Sequence, residues 1–138
     1  MQGGVIGLGI WCVDTTYKIN KLPERGTLES IIDSNQCVGG GPSNVLTNLS
    51  SLGFKSNLIA MGSIGKDNNS TLIKQHCRSN GIISKYISSS PNIPTSHSLC
   101  MFEKQKERTF LYYSGANELL DIKHFKLNEI KNNPKILY

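Results

Sequence analysis

The alternation of short apolar runs with two longer amphipathic segments most limits how this chain can fold. Residues 5–11 and 58–61 are apolar runs of the length of a buried strand. Residues 43–52 and 70–80 instead carry apolar side chains at three- and four-residue steps, which is the spacing of a helix with one buried face. Strands that alternate with helices favour a parallel sheet covered by helices, so we predict an α/β fold.

Both predicted helices have recognisable start and stop residues. Pro42 suits the first helical position because its missing N–H needs no partner there, and Gly53 suits a left-handed cap at the other end. Asp67 or Asn69 can cap the second helix, and Gly81 ends it. The predicted apolar stripe of the first helix is Val45, Leu46, Leu49 and Leu52, and the residues predicted to share one side of the second are Leu72, Ile73, His76, Cys77 and Asn80.

Two extended segments predict a small flap of strands that stands off the main sheet. Residues 13–20 and 29–38 lie between the first strand and the first helix, where a simple βαβ unit has no strands. Further strands are predicted at residues 84–87, 98–102 and 109–113.

The C-terminal residues predict a short helix and one more strand. The helix includes Leu127 and Ile130 and stops before Pro134, and residues 135–138 begin a new apolar strand. A parallel strand buried on both faces rarely forms the last four residues of a complete domain, so we expect residues 1–138 to be part of a longer one.

Charge and hydropathy exclude other classes of protein. The 15 Lys and Arg against 10 Asp and Glu give a net charge of +5, but they are scattered, whereas nucleic-acid binding needs a basic patch on one face. The densest run, residues 104–108, contains Gln105 and Glu107 and predicts a solvated hairpin turn. No apolar run approaches the ~18 residues of a membrane span, and the N-terminus has no signal-peptide features. We expect a soluble, cytoplasmic protein without nucleic-acid or membrane partners.

The four cysteines predict neither a metal site nor disulfides. They are far apart, with no CxxC pair, and the histidines do not complete a zinc pattern. We expect the thiols to pack as small apolar groups, and His76 and Cys77 to be packed residues rather than ligands.

Two of the three glycine-rich sites lack the features of a nucleotide site. Residues 7–12 begin like a dinucleotide fingerprint, but Cys12 occupies the third glycine position and a strand follows where a helix is needed. Residues 62–67 lack the spacing and the Ser or Thr of a phosphate-binding loop, so we predict a turn there.

The third site, residues 39–44 with the sequence GGGPSN, can bind a ligand. Glycines at a helix N-terminus let backbone N–H groups approach a ligand and can act as a hinge. Asn44 lies in the first turn, where its amide can both donate to and accept from a hydroxyl. A role in chain geometry alone explains the glycines equally well.

Several landmarks together resemble the N-terminal half of the PfkB/ribokinase family of carbohydrate kinases. Members open with a strand that ends near an Asp, followed by a GG-x-[GAP]-x-N segment, a helix ending in Leu-Gly, and a Gly-x-[VI]-Gly-x-Asp turn. The matching positions here are Asp14, residues 39–44, Leu52-Gly53 and residues 62–67, followed by Asn80-Gly81-Ile82, Pro94-Thr95 and Ser114-Gly115-Ala116-Asn117.

This resemblance implies a fold and a set of substrate contacts. The fold is a ribokinase-like α/β domain, here incomplete, with a partly parallel sheet flanked by helices and a small β-strand lid. Asp14, residues 39–41 and Asn44 would contact the sugar, and Gly39 and Gly40 would also form the hinge that moves when the sugar binds. The lid strands would close over the substrate and could pair in a homodimer, since an unpaired strand edge favours association.

The resemblance implies an ATP- and Mg²⁺-dependent kinase that transfers the γ-phosphate to a sugar hydroxyl. The family's catalytic Asp lies in a Gly-Ala-Gly-Asp motif, and an Asn-x-x-Glu segment is associated with metal and phosphate; this sequence contains neither. Gly115-Ala116-Asn117 is no substitute, because Asn cannot act as the base. We therefore predict no catalytic or metal-binding residue here and no turnover by these 138 residues alone.

Departures from the family pattern leave the substrate open. Cys12 stands where ribokinase-like members carry an Asn, Gly41 where ribokinases carry a Lys, and Leu46 where a small residue is usual. The alternatives are a nucleoside kinase acting on adenosine-like substrates and a sugar-binding or regulatory module without catalysis.

Overall fold

The structure, a computed structural model, describes residues 3–103, 107–121 and 135–138. The elements in chain order are β1 Gly4–Leu8, β2 Cys12–Ile19, β3 Ile31–Gly39, α1 Gly41–Ser51, β4 Asn57–Ile64, α2 Asn68–Ser79, β5 Ile82–Ser89, β6 His97–Phe102, β7 Arg108–Tyr113, a 3-10 helix Gly115–Leu119, and β8 Ile136–Leu137.

The strands form two four-stranded sheets. The core sheet has the order β5-β4-β1-β8, and all of its pairings are parallel. The lid sheet has the order β3-β2-β6-β7, in which β2 and β6 are parallel and the outer pairs are antiparallel. The predicted α/β fold is confirmed, and the flap contains β6 and β7 in addition to the two predicted strands.

Helix α1 packs closely on the core sheet because Gly7 of β1 has no side chain at the contact. A Cβ on Gly7 would come within 2.8 Å of Leu46 and 3.1 Å of Pro42. The main apolar cluster on this side consists of Val5, Trp11, Val13, Leu46, Leu58, Ala60, Ile64, Ile73, Cys77, Ile82 and Ile87.

The predicted helix ends agree with the structure. Gly53 and Gly81 both have positive φ angles, at 76° and 64°, directly after the helices. Asp67, not Asn69, caps α2, since its carboxylate accepts the backbone N–H of Ser70 at 2.8 Å. These signals are predictable because a cap depends only on residues within one turn.

Four details differ from the sequence-based expectation. The first strand stops at Leu8 rather than residue 11, because the chain turns there and buries Trp11. The predicted turn over residues 62–67 is partly strand, since β4 continues to Ile64. Leu52 follows α1 and is 83% exposed instead of packed.

The fourth difference is that Cys37 is exposed, unlike Cys12, Cys77 and Cys100, which are buried as predicted. Cys37 lies on β3, an edge strand of the lid whose side chains are mostly exposed.

At the C-terminus, β8 pairs with β1 at the edge of the core sheet, and its side chains are exposed rather than buried on both faces as expected. The predicted helix around Leu127 and Ile130 and the turn of residues 104–106 lie outside the described residues. Within the described ranges, no helix is both long and apolar enough to cross a membrane.

Candidate substrate-binding site

Asp14 lies on β2 of the lid sheet, between β3 and β6. Its register partners are Cys37 on β3 and Ser98 on β6, so all three side chains leave the same face. The Ser98 hydroxyl donates a hydrogen bond to Asp14 Oδ1, and the Cys12 thiol approaches the same oxygen at 3.5 Å. One carboxylate oxygen is therefore held by neighbouring side chains.

The other oxygen, Asp14 Oδ2, lies directly against Gly39. A Cβ built on Gly39 would overlap this oxygen and come within 3.0 Å of the carboxyl carbon. Real Cβ atoms do not approach other atoms so closely, so any other residue here would displace the carboxylate. The first glycine of the GGGPSN segment therefore makes room for the predicted binding residue.

The second and third glycines carry the chain from β3 into α1. Gly40 has a φ angle of 101°, and a Cβ there would overlap the carbonyl oxygen of Ile10. Only glycine adopts this backbone without strain. Gly41 begins α1 with the Tyr138 hydroxyl 3.5 Å from its Cβ position.

Asn44 lies in the first turn of α1, and its backbone N–H donates to Gly40 O at 3.1 Å. The residue is exposed. The structure thus brings Asp14 and Gly39 into contact and places Asn44 just beyond the glycines. That Asp14 and Asn44 share one ligand stays a prediction.

The thiols beside Asp14 are in their neutral form. Burial raises the pKa of Cys12 to about 12, and the charge of Asp14 adds to the shift. Desolvation, followed by the charge of Asp14, also raises the pKa of Cys37. A protonated Cys12 can donate to the carboxylate, whereas a thiolate would repel it.

Asn117 supports this site through contacts that the sequence does not predict. Its side-chain oxygen accepts the N–H of Trp11 at 3.3 Å, and its Nδ2 donates to Trp11 O at 3.2 Å. Trp11 is fully buried and its indole N–H donates to Met61 O at 2.9 Å. These bonds fix the segment between β1 and β2 that carries the chain to Asp14. The only sequence signal was the Ser-Gly-Ala-Asn landmark.

The contact of Ser98 with Asp14 is also not predictable from the sequence, for a different reason. It contacts Asp14 across a parallel strand pair, 84 residues away in sequence. No local pattern indicates such a pairing.

A cleft of about 370 Å³ lies between the lid base and α2. Its lining includes Val13 and Val38, a register pair on the lid face opposite to Asp14, and His76 from α2. Cys37, the register partner of Asp14, also lines this cleft.

Within residues 3–103, 107–121 and 135–138, no three His, Cys, Asp or Glu side chains are grouped so that they could hold a metal ion.

A parallel core sheet, a four-stranded lid and a carboxylate packed on glycine before a helix define the class of ribokinase-like α/β proteins. The chain belongs to the pfkB family of carbohydrate kinases, whose family model matches residues 6–138. No curated protein matches the sequence.

Solved structures of low sequence identity share the fold. Ribokinase from Giardia lamblia has a TM-score of 0.79 at 20% identity, with 88% of this chain and 39% of that chain covered. Arabidopsis thaliana ribokinase, complexed with ribose and ATP, has a TM-score of 0.74 at 23% identity, with 84% and 37% covered. Methanocaldococcus jannaschii nucleoside kinase has a TM-score of 0.72 at 19% identity, with 84% and 38% covered. The chain thus spans less than two-fifths of the length of these proteins.

Proposed function

We propose that this chain is the substrate-binding part of an ATP-dependent carbohydrate kinase that transfers the γ-phosphate to a sugar hydroxyl. The observation that carries the proposal is the Asp14 carboxylate, which is packed on Gly39 where the lid joins helix α1. Membership of the pfkB family and the likeness to a ribokinase complexed with ribose and ATP support it.

Each predicted residue has a role in this proposal. Asp14 Oδ2 accepts a sugar hydroxyl, while Ser98 and Cys12 orient the carboxylate through Oδ1. Asn44 binds a second hydroxyl, and Gly39, Gly40 and Gly41 allow the sugar to approach the backbone at the start of α1. ATP and Mg²⁺ bind mainly to the rest of the kinase fold, outside these 138 residues.

Calorimetric titration with a panel of sugars and adenosine tests the binding role. We expect the wild-type protein to bind at least one of these ligands and the Asp14→Asn variant to bind it about 10–100-fold more weakly, because a hydrogen bond to a charged group is lost. Equal binding by both proteins would remove Asp14 from the site, and no binding by the wild type would reject the proposed function.

A phosphoryl-transfer assay with ATP tests the enzymatic role. We expect turnover by a longer chain that includes the rest of the kinase fold, and none by the 138 residues alone. If the short chain turned over, the catalytic residues would have to lie within it. If the longer chain bound sugar without turnover, the sugar-binding or regulatory module would be the better assignment.

A nucleoside kinase is the second candidate, and the similarity to Methanocaldococcus jannaschii nucleoside kinase favours it. The outcome of the same titration, sugar against nucleoside, separates the two.

We further propose that the lid strands form a homodimer interface. β3 and β7 are the edges of the lid sheet, and β3 carries exposed apolar residues, Ile31 and Ile32. Sedimentation velocity should therefore show a dimer that Ile32→Lys converts to a monomer. A wild-type monomer at all concentrations would contradict this.

A further inference from the structure

The backbone does not require the third glycine of the GGGPSN segment. Gly39 makes room for the Asp14 carboxylate, and Gly40 has a positive φ angle. Gly41 has no positive φ angle, and a Cβ there would make only ordinary van der Waals contacts, at 3.5 Å from the Tyr138 hydroxyl and 3.7 Å from the ring. Chain geometry therefore does not explain why residue 41 lacks a side chain.

Tyr138 reaches this space from the core sheet. Its N–H donates to Ile6 O at 2.9 Å and its carbonyl accepts the N–H of Leu8 at 2.8 Å, so it lies opposite Gly7 in the register of β8 and β1. Residues that lie opposite each other in a parallel pair leave the same face of the sheet, and for Gly7 this is the face on which α1 packs. The Tyr138 ring thus lies on the α1 side and extends to Gly41.

The Tyr138 hydroxyl is open to a ligand. The side chain is 56% exposed, and among residues 3–103, 107–121 and 135–138 the hydroxyl has no hydrogen-bond partner. A phenol can both donate and accept a hydrogen bond, so it can bind a ligand hydroxyl that enters the space left by Gly41. The ring also limits the size of the group that fits there.

The phenol and the Asp14 carboxylate lie near the same short stretch of backbone. Asp14 Oδ2 lies against Gly39, and the phenol lies against Gly41, two residues further along the chain. The Cα atoms of two such glycines are at most about 7 Å apart. A sugar carries hydroxyls on neighbouring carbons, so one molecule bound at this stretch can offer one hydroxyl to the carboxylate and another to the phenol.

We infer that Tyr138 is a specificity-determining residue of the proposed sugar site, and that its hydroxyl bonds a sugar hydroxyl in the space left by Gly41. This inference rests on the proposed function and adds a residue of the core sheet to the lid and α1 residues of that site. A sugar that lacks a hydroxyl at the carbon facing Tyr138 leaves the phenol without a partner, so the site discriminates against it.

Calorimetric titration of a chain that includes the rest of the kinase fold tests this role. The probes are the member of the panel of sugars and adenosine that the wild type binds most tightly, called the parent ligand, and its monodeoxy analogues, each without one hydroxyl. Tyr138→Phe should weaken binding of the parent ligand by about 3–10-fold, because one neutral hydrogen bond is lost. One analogue should bind equally to the wild type and to Tyr138→Phe, since neither complex can form that bond.

Tyr113→Phe is the matched control, because it makes the same substitution at a tyrosine that is 45% exposed but lies elsewhere. Tyr113 pairs with His97, and His97 pairs with Val13, which lies on the lid face opposite to Asp14. Tyr113→Phe should bind the parent ligand and its analogues like the wild type. Urea unfolding of each variant checks that the fold is intact.

Gly41→Ala tests the space itself. The added methyl group should exclude the sugar hydroxyl and weaken binding of the parent ligand by about 3–10-fold, and combining Gly41→Ala with Tyr138→Phe should weaken it no further, because both remove the same bond. The midpoint of urea unfolding should stay unchanged or rise in Gly41→Ala, since alanine favours a helix more than glycine does.

The outcomes separate this inference from the proposed function. If Asp14→Asn weakens binding but Tyr138→Phe binds like the wild type, Tyr138 is not part of the site and the kinase proposal stands. If Tyr138→Phe weakens binding of the parent ligand and of every analogue by the same factor, its hydroxyl does not contact a sugar hydroxyl and the inference is also wrong. If the wild type binds no ligand of the panel, both proposals fail.

Discussion

Gly39 shows how a single missing side chain can make room for a carboxylate. The Asp14 carboxylate occupies the space where a Cβ of residue 39 would lie, and Cys12 Sγ is also only 3.3 Å from that position. The charged group is thus held by a hydroxyl and a thiol on one side and by bare backbone on the other. Gly39 thus makes space for the carboxylate, in addition to the hinge role that the family resemblance implies.

A Gly39→Ala substitution should therefore weaken ligand binding by about 10–100-fold, because the displaced carboxylate loses its hydrogen bond to the ligand. Calorimetric titration with the ligand that the wild type binds measures the change. Gly3→Ala is the control, since its Cβ would meet only the flexible Lys135 side chain, at 3.3 Å. Wild-type affinity in Gly39→Ala would show that the carboxylate is not part of the site.

At the scale of elements, Asp67 joins helix α2 to the loop before β6. Its carboxylate caps α2 through Ser70 and also accepts the N–H of Thr95 at 2.7 Å and the Thr95 hydroxyl at 2.7 Å. The neighbouring Gly65 must lack a side chain, because a Cβ there would lie 2.6 Å from the backbone nitrogen of Thr95. The Gly-x-Asp part of the turn thus connects two distant segments.

Asp67→Ala should lower the free energy of unfolding by about 2–4 kcal/mol, since it removes a helix cap and the bonds from Thr95 to a charged group. Urea denaturation measures this. The alternative cap residue supplies the comparison: Asn69→Ala should change the unfolding free energy by less than about 0.5 kcal/mol. Similar losses in both variants would contradict the assignment of the cap.

His76 should make the packing of α1 on α2 sensitive to pH. Its Nε2 lies 2.8 Å from the Thr47 hydroxyl of α1, and burial lowers the pKa of His76 below its ordinary value of 6.5. The folded state therefore favours the neutral ring. The resulting stability is fully present above pH 6.5 and decreases as the pH falls from 6.5 towards the lower pKa of the folded state.

Urea denaturation between about pH 7.5 and 5 should show this decrease in the wild type and a smaller one in His76→Gln, which cannot titrate. Identical pH profiles for the two proteins would mean that His76 is not responsible.

At the scale of the whole molecule, the core and lid sheets are joined where β1 passes into β2. Trp11 fills the junction: a Cβ on Gly62 would lie only 2.5 Å from its indole ring. Asn117, in the 3-10 helix after β7, then hydrogen-bonds both the backbone N–H and the backbone C=O of Trp11 through its side-chain amide. The position of Asp14 relative to α1 depends on this junction.

Asn117→Ala should cost about 2–4 kcal/mol in unfolding free energy, because it leaves the buried N–H and C=O of Trp11 without partners. Tyr112→Phe removes only the hydrogen bond that Asn117 Nδ2 donates to the Tyr112 hydroxyl. It should therefore lower the free energy of unfolding by less than about 1 kcal/mol. Hydrogen exchange should locate the loss, with faster exchange of backbone amides in β2 than in β4. Unchanged stability and exchange in Asn117→Ala would show that the junction is held by Trp11 packing alone.

The α/β alternation, the ends of both helices and the GGGPSN segment with its family can all be predicted from the order of the residues. These depend on short-range chemistry: Gly53 and Gly81 adopt left-handed caps, and Asp67 bonds a residue three positions away. The folded chain is needed to see that β6 and β7 complete the lid sheet, that Ser98 and Tyr112 lie in one row with Asp14, and that Asn117 bonds the Trp11 backbone. The register of strands from distant parts of the chain is set by the packing of whole sheets, and no local pattern specifies it.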